Sequence, residues 1–183
     1  MKKKTQYKKN THSGFTLVEM LVYLVLTVLI ATLLVQALVV VFQSNRNSFV
    51  YSNLRNSAYT AMESMGQQIR ASNSIDYTHS TLYPSTPDVL QLNQTDVNGN
   101  PEVAKFATSS SGTLNFYYGS TTASLVLVGP ITIIGTSVTQ LIFTPINTGT
   151  STAVRIQMTL SGTTAGVTRT AIFYSTAVLR GSY

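Results

Sequence analysis

Between Phe15 and Phe42 the chain reads FTLVEMLVYLVLTVLIATLLVQALVVVF, an almost unbroken apolar run whose only charge is Glu19. At about 1.5 Å of rise per residue, some twenty such residues in a helix already span a hydrocarbon layer of about 30 Å. The run therefore predicts a membrane-crossing helix. Lys2, Lys3, Lys4, Lys8 and Lys9 precede it, and only Arg46 and Arg55 follow closely. That bias keeps the N-terminus in the cytoplasm and sends the remainder outward.

The helix has no reason to stop at the membrane. No Gly occurs between Phe15 and Met65, and no Pro before Pro84, so nothing in that stretch forces a break. Past Phe42 the pattern becomes one-sided. Val50, Leu54, Ala58, Ala61, Met65 and Ile69 recur every three or four residues, an apolar stripe along one helical face. Asn47, Asn53, Asn56, Ser57, Ser64 and Gln67 cover the other faces. The expectation is one helix over residues 15–72, with 15–42 in the membrane and 43–72 amphipathic. Its stripe, with Met62 and Met65, reads as core packing against a sheet rather than as a ligand site.

The start of the run differs from a secretory signal, which has an apolar core of 7–15 residues followed by a small-residue A-x-A site. Here the run is about twice that length, and Gly14 stands in front of it. Glu19 is the second anomaly. A carboxylate at a membrane helix centre costs roughly 2.5–3.5 kcal/mol, less near an end, and calls for a partner. Cleavage after Gly14 would create one, because the freed α-amino group of Phe15 is largely cationic at neutral pH. Two opposite charges about 4 Å apart attract by roughly 1 kcal/mol in water and 4 kcal/mol at an effective dielectric of 20. Pairing Glu19 with the Phe15 amine of a neighbouring subunit would relieve both charges and favour assembly. An intrahelical Phe15–Glu19 pair is the competing arrangement.

The lysine-rich leader, the sequence Gly14-Phe15-Thr16-Leu17-Val18-Glu19 and the apolar run together resemble the processing motif of type IV pilins and type II secretion pseudopilins. The likeness covers residues 1–42 closely and extends in general character to about residue 72. It implies removal of residues 1–14 by a prepilin peptidase and N-methylation of Phe15. It also implies packing of the helix into a filament core with other pilin or pseudopilin subunits, drawn from membrane lipid by an assembly ATPase and platform protein. One departure is visible. Many major pilins carry a helix-breaking Pro or Gly midway along this segment, where this chain has Gln36. That favours a minor pilin or pseudopilin.

After Ser72 the texture changes. Residues 73–87 read as a loop with Pro84 and Pro87. Strand-like runs follow at Val89–Leu92, Val103–Ala107, Leu114–Tyr118, Leu125–Val128, Ile131–Ile134, Val138–Phe143, Val154–Leu160 and Val167–Leu179. Val154, Ile156, Met158 and Leu160 alternate with Arg155, Gln157 and Thr159, which marks a half-buried strand. Turn signals fall at Asn98-Gly99, Gly129-Pro130, Thr148-Gly149 and Ser161-Gly162. An antiparallel sheet laid on the amphipathic half of the helix would bury both apolar faces. The expected class is α+β and pilin-like, with an exported β-rich domain over residues 73–183. Its last three runs also resemble the tails of J-type minor pseudopilins and W-type minor pilins.

Asp96, Asn98, Asn100 and Glu102 place oxygen donors at every second position, which makes them a calcium candidate. Yet Gly99 stands fourth in D-V-N-G-N-P-E, not sixth as in an EF-hand, and Asn-Gly between strands signals a hairpin. A plain turn is the preferred reading, and no cofactor is expected. The chain has no Cys and shows no nucleophile elbow, HExxH or P-loop. His79 sits in a Ser/Thr-rich loop where a solvated side chain is the default, so an enzyme is not expected.

The formal charge of +6 belongs to the leader: residues 15–183 carry seven basic groups against six acids. Nucleic acid is therefore not the preferred partner, although Arg155, Arg169 and Arg180 could face a polyanion. Two rivals stand beside a structural filament subunit. One is a filament-tip subunit whose β domain recognises DNA, a surface or a secreted substrate. The other is a simple signal-anchored envelope protein, uncut and indifferent to Glu19→Ala. The expected location is the cytoplasmic membrane, single-pass with the C-terminal domain outside, and then an extracellular or periplasmic filament.

Overall fold

The computed structural model describes residues 16–83, 89–149, 151–164 and 166–180. The helix α1 spans Leu17–Ala71, and the chain divides into two units after Ser44.

In the first unit, the apolar part of α1 is exposed all round, from Leu17 to Phe42. It is long and apolar enough to cross a membrane, with a mean hydropathy of 2.8 over its best stretch. Its hydroxyl side chains satisfy themselves locally. Thr27 Oγ1 donates to the Tyr23 carbonyl at 2.7 Å and Thr32 Oγ1 to the Val28 carbonyl at 2.5 Å. Such back-bonding lets polar residues sit in a helix that lipid surrounds.

In the second unit, α1 buries Val50, Leu54, Ala58, Ala61, Met65 and Ile69, together with Ser57 and Gly66. All six stripe residues expected from their spacing are in the core. Burying each large aliphatic side chain contributes about 1.5–3 kcal/mol.

The β strands are β1 (Ser74–Ile75), β2 (Val89–Thr95), β3 (Pro101–Thr108), β4 (Leu114–Gly119), β5 (Val126–Pro130), β6 (Thr136–Asn147), β7 (Thr152–Thr164) and β8 (Val167–Val178). Two antiparallel sheets form, a five-stranded β1-β2-β3-β4-β5 and a three-stranded β6-β7-β8. The single sheet expected from the sequence is thus two. They are tied by the Val138 N–H, which donates to the Gly112 carbonyl at 2.7 Å, and by the Tyr83 N–H, which donates to the Phe143 carbonyl at 3.0 Å.

Core residues come from both sheets: Leu90, Leu92, Ala104, Phe106 and Leu114 from one, Val138, Leu141, Phe143, Val154, Ile156, Met158 and Leu160 from the other. In β6 the register shifts between Val138 and Gln140, leaving Thr139 as the extra residue. This bulge lets Val138 and Leu141, of opposite parity, both face inward.

Several local expectations are corrected. Ile131–Ile134 is no strand but the connection into β6, with Ile133 and Ile134 exposed. Ser161 and Gly162 lie inside β7, and Gly129 and Pro130 at the end of β5, rather than in turns. A Cβ on Gly162 would meet Leu54 Cδ2 at 3.2 Å, so close approach of sheet to helix, not a turn, is what a glycine serves there. The stretch read as a loop over 73–87 contains β1 and a bridge from Thr81 to Val89, while Pro84 and Pro87 lie outside the described residues. Asn98-Gly99 and Thr148-Gly149 do lie between paired strands, with Gly99 and Gly149 at φ +86° and +87°.

The end of α1 shows how sheet and helix fit. Gln94 of β2 is buried. Its Nε2 donates to the Gln68 carbonyl at 3.0 Å, to Gln68 Oε1 at 2.9 Å and to Ser72 Oγ at 3.1 Å. A side chain from the sheet thus satisfies one of the carbonyls a helix C-terminus leaves open.

Candidate functional site

The predicted site lies where α1 begins. Gly14 and Phe15, the predicted cleavage and methylation positions, lie outside the described residues. Thr16 and everything after it in the motif are described.

Thr16 stands just before Leu17, the first helical residue. Its Oγ1 accepts the Glu19 N–H at 3.3 Å. Thr16 is therefore an N-cap, and Glu19 occupies the third helical position. The sequence Thr-x-x-Glu before an apolar run is the capping-box signal, a feature that motif reading alone passes over. A carboxylate in the first turn also faces the positive end of the helix dipole, a contribution of about 0.3–1 kcal/mol at exposed sites.

The Glu19 carboxylate does not close the box by folding back on Thr16. Instead Oε1 accepts from the Tyr23 hydroxyl at 3.3 Å, one turn further on. Tyr23 is a site residue that charge-based reasoning missed. The signal was its i+4 spacing from Glu19. A carboxylate offers about four acceptor positions, so this one contact leaves it able to take another donor. Glu19 is half-buried against its own helix, while Leu17, Val18, Met20 and Leu21 around it are exposed. The site is a single acceptor in an apolar collar.

The other candidates resolve into structural roles. Asp96 organises the β2–β3 hairpin: its Oδ1 accepts the N–H groups of Asn98 and Asn100, both at 2.8 Å, and its Oδ2 accepts the Asn100 side-chain amide at 2.9 Å. The Asn100 hydrogen bonds lead in holding the Asp96 carboxyl below its ordinary value. Glu102 points elsewhere, accepting from the Tyr118 hydroxyl. Burial first, and then this carboxylate, push Tyr118 up to about 12. The four calcium candidates thus form a turn and a separate cross-strand pair.

His79 is not simply solvated. Its Nδ1 lies 2.7 Å from Asp76 Oδ2. Asp76 Oδ1 also accepts the N–H groups of Thr78 and His79, and Gln91 Nε2 donates to its Oδ2 at 3.0 Å. Burial pushes the Asp76 carboxyl up, but His79 and the two N–H donors hold it below its ordinary value. The cluster locks the 76–80 turn onto β2.

The arginines also have local partners. Arg155 lies over the Tyr174 ring, 5.4 Å from its centroid, and Arg169 donates to Asn47 Oδ1 at 3.1 Å. Arg180 lies beyond the end of β8.

A family model described as the prokaryotic N-terminal methylation motif matches residues 9–35. No curated protein and no solved structure matches the chain. The motif implies processing by a prepilin peptidase and assembly with other pilin subunits. With the apolar helix, it points to anchoring in the inner membrane. The chain carries the type IV pilin and pseudopilin signature at its N-terminus, on an α+β architecture of one long helix and antiparallel sheets that is pilin-like.

Proposed function

We propose that this chain is a non-enzymatic structural subunit, of the minor class, in a type IV pilus or a type II secretion-like pseudopilus. Prepilin peptidase cuts it between Gly14 and Phe15, Phe15 is N-methylated, and the helix then packs among those of neighbouring subunits. The observation that carries the proposal is Glu19, a carboxylate at the third position of α1 and the only charge in its apolar stretch from Leu17 to Phe42, which is of membrane length. In lipid that charge is costly. Against the Phe15 amine of an adjacent subunit it becomes an ion pair in a low-dielectric bundle, where attraction reaches roughly 4 kcal/mol at an effective dielectric of 20. Assembly is then favoured over the free subunit in the membrane. Gln36 in place of a helix breaker, and a tail resembling J-type and W-type minor subunits, support the minor assignment.

Mass spectrometry of the native N-terminus tests this directly. The expected species begins at Phe15 and carries one added methyl group. A polypeptide that still begins at Met1 in cells with an active processing enzyme would overturn the proposal and favour a simple signal anchor.

A further inference from the structure

The charges beyond the leader are not evenly spread. Residues 103–183 contain Lys105, Arg155, Arg169 and Arg180 and no acid at all. Along α1 no acid occurs between Glu19 and Glu63, whereas Arg46 and Arg55 fall in that interval. Among the described residues, the acids past Glu19 are Glu63, Asp76, Asp96 and Glu102. Glu63 lies about 24 Å along the helix from Asn47 at 1.5 Å per residue. Glu102 pairs in register with Gln94, which is bonded to Gln68 and Ser72 at the C-terminal end of α1. The Asn47 end of the second unit holds Arg46 and Arg169 and, among the described residues, no acid, whereas at the far end acids stand beside bases, Glu63 paired with Arg70.

The strand β8 brings a further cation to the Asn47 end. Arg169 bonds Asn47, while Phe173, Tyr174 and Ser175 line a groove of about 330 Å³ with helix residues from Arg55 to Arg70, Glu63 among them. From Arg169 to that groove is four to six strand residues, about 13–20 Å. From Asn47 it is eight to twenty-three helical residues, about 12–35 Å. The strand runs alongside the helix with its first residues at Asn47. Asn47 follows Phe42, the last residue of the apolar run, by five residues in the sequence. The polar headgroup layer is itself about 5–7 Å deep on each side.

Two exposed aromatic side chains follow about 3 and 6 Å further along the helix, Phe49 at 57% exposure and Tyr51 at 50%. At about 100° per residue, Arg46, Asn47, Phe49 and Tyr51 are spread around the helix rather than along one face. Tyrosine with its apolar body and polar tip, and arginine with a charged head on an apolar stem, are the side chains that membrane interfaces select.

We infer that Arg46, Phe49, Tyr51 and Arg169 form a collar that seats the β domain on anionic phospholipid headgroups of the exported leaflet before the subunit is drawn into a filament. The inference rests on the reading of residues 17–42 as a membrane span. The collar gives the unassembled subunit a docked state. The two guanidiniums engage lipid phosphate, and the Arg169–Asn47 bond keeps the start of β8 level with the helix residues that enter the interface.

The chain has no native Cys, so single nitroxide labels can be placed cleanly on the full-length protein at Thr168→Cys and, separately, Leu33→Cys. Each is placed in discs of phosphatidylcholine and in discs with about a third phosphatidylglycerol, both doped with a headgroup-chelated nickel lipid. At Thr168 the collision rate with nickel is expected to be higher in the anionic disc. The docked-to-undocked ratio should fall about fivefold for each of Arg46→Gln and Arg169→Gln. Arg169→Lys should hold it, and about 1 M salt should bring it to the phosphatidylcholine value by screening. Equal rates in the two discs, or an anionic-disc effect that survives the double Gln variant, overturn the collar. The Leu33 label separates the two levels of the inference. A water-exposed Leu33 label overturns the span and the collar together. A lipid-buried Leu33 label with an indifferent Thr168 label overturns the collar alone.

Discussion

Ser57, in the middle of the apolar stripe of α1, holds Thr136 Oγ1 at 2.9 Å and accepts the Ile133 N–H at 3.1 Å. It is fully buried. One hydroxyl on the helix thereby fixes the connection that leads into β6, the first strand of the three-stranded sheet. Leaving a buried donor without its acceptor costs about 1–3 kcal/mol. Ser57→Ala is expected to destabilise the β domain by that amount, read by urea unfolding of the full-length protein in detergent. An unchanged midpoint would mean the Ile133 N–H finds another acceptor.

Gly112 makes the second such junction, between the β3–β4 turn and β6. Its φ is +78°, and a Cβ there would meet Ser137 Cβ at 2.9 Å. A left-handed backbone costs a residue with a side chain about 1–2 kcal/mol, and the contact adds to it. Gly112→Ala should lower thermal stability by at least that much. The equivalent change at Gly66, where the nearest atoms belong to the flexible Arg70 side chain at 3.4 Å, should cost far less. Comparing the two melting temperatures checks the claim.

For assembly, Glu19→Ala should leave cleavage intact and lower incorporation into filaments at least about tenfold, a factor equal to 1.4 kcal/mol of lost pairing. Tyr23→Phe removes the 3.3 Å contact to Glu19 and is expected to have a smaller effect. Sheared-filament yield against total processed subunit gives both numbers. Normal yield from Glu19→Ala would assign the carboxylate to the subunit's own helix.

Acid should loosen the 76–80 turn. The Asp76 carboxyl is held below its ordinary value, so its contribution is fully present above the usual carboxylate pKa of about 3.9 and disappears as pH falls through the lowered folded value. Amide exchange at Thr78 and His79, whose N–H groups Asp76 accepts, should accelerate below about pH 4 relative to amides in β7. In Asp76→Asn that acid-dependent step is expected to vanish.

The long helix was legible because its signals are local. An apolar run of membrane length, then a stripe at 3.6-residue period, identifies both halves without knowledge of what they touch. The six apolar residues the spacing selected are all buried on α1, although Ser57, expected on the other faces, is buried with them. The strict alternation in Val154–Leu160 likewise declared β7. The site was legible as a motif, through Glu19 in an apolar run, but not as geometry. The Thr16 cap was written in Thr-x-x-Glu, and Tyr23 in an i+4 spacing that charge alone does not reveal.

Tertiary structure decided what no local signal can encode, namely which distant surfaces meet. Gly162 reads as a turn residue beside Ser161, yet it stays in β7 because Leu54 needs the space a Cβ would fill. Ile131–Ile134 is apolar enough for a strand. It becomes a connection instead, since Ser57 captures Ile133 and β6 starts only at Thr136. The division into two sheets and the meeting of Arg169 with Asn47 across 122 residues of chain have the same origin. Hydropathy and period follow from neighbours in the chain, whereas pairing partners are settled only when the whole domain closes around one core.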